Sequence, residues 1–113
     1  MLAGDVAFVR GDCIPARDSA EWKQYWRHAP DIVAEVVSPS QKRDDMDAKA
    51  RAWLAAGVSL VWIVWPATQQ VDVWRPADVG APDQPIQTLG TGDALDGLDV
   101  LPGFTYALAD LFA

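Results

Sequence analysis

The chain has 113 residues, half of them apolar and 22% charged, a globular composition with room for a single domain over residues 1–113. One cysteine (Cys13) and one histidine (His28) exclude disulfide scaffolds, cysteine- or histidine-rich zinc centres and thioredoxin-like redox chemistry. The formal charge of −7 speaks against nucleic acid, but residues 1–57 set eight Lys and Arg against nine acids while residues 58–113 set only Arg75 against seven, so an anionic partner would be met by the first half.

Taken in chain order, residues 4–10 read as a strand and 11–15 as a turn. Residues 18–27 carry Trp22, Tyr25 and Trp26 at offsets of three and four, a short helix or helical loop with an aromatic face that Pro30 ends. Residues 31–38 are apolar on both faces and rich in β-branched side chains, which predicts a central, fully buried strand. From about 43 to 56 the spacing is helical, with Met46, Ala50, Trp53 and Leu54 on one stripe, Asp44 as N-cap and Gly57 as the residue that closes the helix. Residues 59–65 predict a second buried strand, and residues 70–75 alternate as a half-exposed strand paired to it in a hairpin. A Pro-rich loop over 76–83, a short edge strand over 85–89, turns over 92–98, an extended approach over 100–104 and a terminal helix over 105–112 complete a mixed α/β layout. The longest apolar stretch, 60–65, is too short to span a bilayer, and the start lacks a signal-peptide pattern, so a cytoplasmic protein without a membrane partner is expected. Nucleophile-elbow, dinucleotide-binding and Walker phosphate motifs are absent from the sequence.

Three polar residues sit where apolar ones belong. Glu35 lies mid-strand between Val33 and Val37, where an ionised carboxylate costs several kcal/mol unless it is compensated. It is either a buried salt-bridge partner or a metal-binding or catalytic group. Lys49 shares the inward stripe of the helix, three residues after Met46 and four before Trp53. It either snorkels to solvent or points back at the strand that holds Glu35. Asp5 opens the first strand. It is either solvated or shares a divalent ion with a carboxylate about 4.8 Å away on a neighbouring strand. Asp31 has the parity of Glu35 but stands about 13 Å along the strand, which suits its entrance or a water behind the site. Lys42 and Arg43 are the densest basic spot, a solvated helix start or a phosphate contact. Trp22 and Trp26 are a weak candidate for base stacking, and His28 receives no role.

The blocks 4–9 (GDVAFV), 30–40 (PDIVAEVVSPS), Asp45 with Lys49 and Trp53, 56–58 (AGV), 61–66 (VWIVWP) and 100–104 (VLPGF) are collinear over nearly the whole chain. In these blocks the sequence closely resembles the restriction-endonuclease-like family called the Uma-two group, within the PD-(D/E)XK nuclease superfamily. The resemblance implies a mixed sheet flanked by helices. In that family a Pro-Asp on the first strand supplies a metal ligand. Asp5 stands at that place, with Gly4 replacing the proline. The acidic residue of the next core strand corresponds to Glu35. The superfamily lysine normally follows two residues later, where this chain has Val37, and the helix residue Lys49 stands in for it. Family members usually begin with a further helix and strand, so a fold lacking those N-terminal elements is expected here.

The implied activity is hydrolysis of DNA phosphodiesters. Asp5 and Glu35, with a backbone carbonyl near Val36, would hold Mg2+ or Mn2+. Lys49 would orient water or stabilise negative charge, and Asp45 would hold Lys49 through an i,i+4 contact. The competing expectation is a truncated, catalytically inactive nuclease fold serving as a binding or assembly module. A homodimer formed through an open sheet edge is a further expectation.

Overall fold

The computed structural model describes residues 31–77 and 82–113 in full and residues 6–8 by their backbone. The expected aromatic segment with Trp22 and Trp26, together with Asp5, Cys13 and His28, lies outside the described residues. Five strands form one sheet in the order β1-β2-β3-β4-β5: β1 (Val6–Phe8), β2 (Ile32–Val36), β3 (Leu60–Trp65), β4 (Gln70–Trp74) and β5 (Gln87–Leu89). The β2 and β3 strands are parallel, with Glu35 opposite Ile63, and helix α1 (Arg43–Ala55) makes the crossover between them. All other neighbours in this sheet are antiparallel.

Both faces of the sheet are covered, which is why β2 and β3 are continuous apolar runs rather than alternating ones. On one face Val33, Val37, Val61, Ile63 and Trp74 pack against Met46, Ala50, Trp53 and Leu54 of α1. On the other, Ile32, Leu60, Trp62, Val71 and Val73 meet Leu95, Val100 and Leu108 of the C-terminal segment. Phe104 stacks on Trp62 there, with ring centroids 6.0 Å apart.

The local chemistry of α1 explains its ends. Gly57 adopts φ +106°, which is open to glycine without steric cost. Its N–H donates to the Leu54 carbonyl and the Val58 N–H donates to the Trp53 carbonyl, both at 3.1 Å. That is a Schellman closure, sealed by the burial of Trp53 and Val58 in one cluster. At the other end the cap is Lys42 rather than Asp44, and its side chain makes no capping bond. Asp44 and Asp45 fall in the first helical turn, where their charge opposes the positive end of the helix dipole.

Three further expectations are corrected. The β4 strand pairs with β3 through the turn at 66–69, but it is buried rather than half-exposed. Its alternation reflects two covered faces, with Val71 and Val73 toward one and Asp72 and Trp74 toward the other. Residues 92–98 are not only turns, because β6 (Ala94–Asp96) lies among them. The expected terminal helix over 105–112 is instead strand β7 (Thr105–Ala107), paired with β6, and a single turn α2 (Leu108–Leu111). Thr105 and Tyr106 favour the strand, and the Leu108 N–H bonds the Asp93 carbonyl at 3.0 Å, which ends the hairpin there. Among the described residues, no helix is long and apolar enough to cross a membrane.

Candidate active site

Alternation along β2 turns Val33, Glu35 and Val37 toward α1, so the carboxylate of Glu35 lies beneath the helix. The residue is only 2% exposed. Its Oε2 accepts a hydrogen bond from the Lys49 Nζ at 3.1 Å, and its Oε1 accepts one from the Trp53 Nε1 at 3.1 Å. Lys49 and Trp53 are four residues apart and therefore neighbours on one flank of α1. The buried charge thus meets an opposite charge and a second donor, the conditions under which an ion pair in a low-dielectric interior is tolerated. The Lys49 side chain keeps 31% of its surface exposed, so the pair has one face toward solvent. Val36, the next residue on the strand, is 45% exposed and marks where cover on the sheet ends.

The structure brings Glu35 and Lys49 together. Asp31 is half-buried at the entrance of β2, where its carbonyl accepts the Ser59 N–H at 3.1 Å. Asp45 is exposed one turn before Lys49, and among the described residues no ion pair joins the two. Lys42 is exposed at the helix start. Arg43 is half-exposed and already engaged by a carboxylate of β4.

A second buried carboxylate escaped the sequence reading. Asp72 is fully buried on β4, and its Oδ2 accepts bonds from the Arg43 Nη1 at 2.8 Å and the Trp65 Nε1 at 2.9 Å. Its Oδ1 accepts the Thr88 hydroxyl at 2.8 Å. The Arg43 guanidinium also lies 4.3 Å above the centre of the Trp65 ring, a cation–π contact. Glu35, Ile63, Asp72 and Thr88 stand opposite one another across four strands, so both carboxylates share one row and one face. Parity sets Asp72 with Trp74 on one face and Val71 with Val73 on the other, but the alternation alone does not show that the Asp72 face is covered.

Asp47 stands four residues after Arg43 on α1, and one of its carboxylate oxygens, Oδ1, is buried without a hydrogen-bond partner. Burial pushes its carboxyl above the ordinary value of 3.8; Arg43 pulls it back down and the Asp72 charge adds to the rise.

Among the described residues no group of three or more His, Cys, Asp or Glu is placed to hold a metal ion. A carboxylate offers about four lone-pair sites, of which Glu35 uses two for Lys49 and Trp53, so it keeps oxygen lone pairs of the kind a hard cation takes.

Compared with known proteins, residues 2–109 match the model of the Uma2 family, described as "Putative restriction endonuclease". Among solved structures, the chain is similar to a protein from Anabaena variabilis described as a putative nuclease belonging to DUF820, at 22% identity and a TM-score of 0.61. That match covers 75% of this chain and 45% of the other, so the chain spans less than half the length of that relative. None of the curated proteins matches.

Proposed function

The chain belongs to the Uma2 family, and on that footing we propose that it is a metal-dependent nuclease that hydrolyses DNA phosphodiesters at Glu35 and Lys49. The observation that carries this reading is the pair itself: an acid at 2% exposure on an apolar face, with an ammonium 3.1 Å away on the crossover helix. A fold gains little net stability from such a pair relative to apolar residues of the same volume, which makes a chemical use the better account of it.

Glu35 would hold Mg2+ or Mn2+ with its remaining lone pairs. Asp5 is the second proposed ligand; it directly precedes Val6, and Val6 pairs with Ala34, the neighbour of Glu35. A bound divalent cation supplies Lewis acidity and acidifies a coordinated water. Lys49 has three N–H donors, of which one is given to Glu35. The other two, on the partly exposed side of the group, would orient the attacking water or meet the negative charge that grows on the phosphoryl oxygens. Lys42 and Arg43 would contact phosphates along the same helix, with Arg43 offering the donors that Asp72 leaves unused. Asp31, at the strand entrance, would hold a water behind the site, and Asp45, one turn before Lys49, would bias the ammonium by its charge without a direct ion pair.

One observation favours a second reading. Both oxygens of Glu35 already accept bonds, as they would in a purely structural ion pair, which fits an inactive nuclease fold used for binding or assembly. The two readings separate cleanly. Nuclease action requires Mg2+-dependent cleavage of plasmid DNA that Glu35→Gln abolishes, and a melting temperature that rises with Mg2+ in the wild type but not in that variant. Cleavage undiminished in Glu35→Gln would remove this mechanism.

A further inference from the structure

Helix α1 lies over the sheet with Met46 and Ala50 fully buried beneath it. Arg43 stands three residues before Met46 and Lys49 three after it, so they project roughly 60° to either side of Met46 around the helix. Their partners also stand on opposite sides. Lys49 reaches Glu35 on β2 and Arg43 reaches Asp72 on β4, while β3 and its Ile63 lie between them in the same row. Both pairs are formed together, at 2.8 Å and 3.1 Å, so both flanks are engaged at once.

Apolar contact beneath a helix is non-directional and permits it to roll about its axis. Two charge-assisted bonds on opposite flanks do not. We infer that Asp72 is a positioning residue for Lys49: by holding Arg43 on the β4 flank of α1, it fixes the roll of the helix and so keeps the Lys49 ammonium seated on Glu35. Asp72 itself is fixed by Trp65 and Thr88, and the Trp65 ring supports the face of the Arg43 guanidinium, so the clamp is rigid at its base. The inference rests on the nuclease reading for what Lys49 does, but not for how Lys49 is held.

The Trp53 indole N–H reports on the seat directly, because it donates to the other oxygen of Glu35 and makes no bond to Asp72. The test follows this N–H in 15N-labelled protein without metal, alongside steady-state cleavage of plasmid DNA with Mg2+. In Asp72→Asn the Trp53 indole resonance should shift and exchange with solvent about tenfold faster. Turnover should fall by about tenfold to a hundredfold with KM little changed, as expected of a misplaced group. Asp99→Asn, which breaks the surface pair with Arg75 on the other side of the sheet, should change neither. Should Asp72→Asn fail to fold, Arg43→Gln releases the same flank while leaving Asp72 its Trp65 and Thr88 donors, and the same change at the Trp53 indole is expected; because Arg43 is itself placed against phosphate, the indole is the readout in this variant. A folded variant with a wild-type Trp53 indole would overturn the inference, even if turnover fell. A displaced indole in a protein that never cleaves DNA would support the clamp and remove the nuclease reading instead.

Discussion

Glu35 has two donors, one for each oxygen, and this constrains what its substitution can mean. In Glu35→Gln, one oxygen can still accept the Trp53 or the Lys49 donor, but the amide then turns its own N–H groups toward the other. The variant should fold with about 1–3 kcal/mol less stability, measured by urea unfolding, because a buried donor is left unmatched. Loss of cleavage must therefore be read on protein shown to be folded. Asp47 presents the opposite case, a carboxylate that burial disfavours when ionised. Its folded value lies above the unfolded 3.8, so the native state binds more protons between the two values and stability is lost as pH rises through the folded one. Asp47→Asn should accordingly raise the melting temperature by a few degrees at neutral pH. The difference should shrink to nothing on acidification below about 3.8, which a pH series of melts would check.

Among the elements, α1 is well closed at its C-terminus and poorly capped at its start. Lys42 has the extended backbone of an N-cap, φ −103° and ψ 158°, but a side chain that cannot accept from the free N–H groups of the first turn. Lys42→Ser supplies that acceptor without changing the backbone and should add about 0.5–1 kcal/mol of stability in denaturant unfolding. If Lys42 contacts phosphate, the same change should weaken DNA binding and flatten its salt dependence by about one counterion. Opposite signs in the two measurements would show that this position carries a basic residue for binding rather than for the helix.

Across the whole molecule, the C-terminal segment covers one face of the sheet and depends on a single tight turn. The Gly97 carbonyl accepts bonds from both the Val100 and Leu101 N–H groups, and its own N–H reaches the Phe104 carbonyl at 3.0 Å. A Cβ at Gly97 would collide with the Leu101 carbonyl oxygen, which is backbone and cannot move aside. Gly97→Ala should therefore cost more than about 2 kcal/mol, read as a lowered urea midpoint, because the turn must open and loosen Leu95, Val100 and Leu108 from Trp62 and Val73. The α1 face is packed by a separate cluster, so the Trp53 indole should respond less than the Trp62 environment.

Position 35 was legible because an acid within an unbroken β-branched run violates the local pattern, whatever the fold around it. Lys49 was legible from its place on the apolar stripe, and the closing role of Gly57 from the end of the periodicity. These signals span a few residues and need no knowledge of distant neighbours. Asp72 was not legible in that way. Alternation along β4 shows which side chains share a face but not whether that face is covered, and cover here comes from Arg43, 29 residues earlier in the chain, and from Thr88, 16 residues later. The same limit applies at the C-terminus, where pairing with β6 made a strand of Thr105–Ala107 against a helical spacing. The amino-acid order thus determined the misfits at positions 35 and 49, which break a pattern within their own element. Only the tertiary structure decided what compensates each of them, because a buried charge is neutralised by whatever the fold brings within about 3 Å of it.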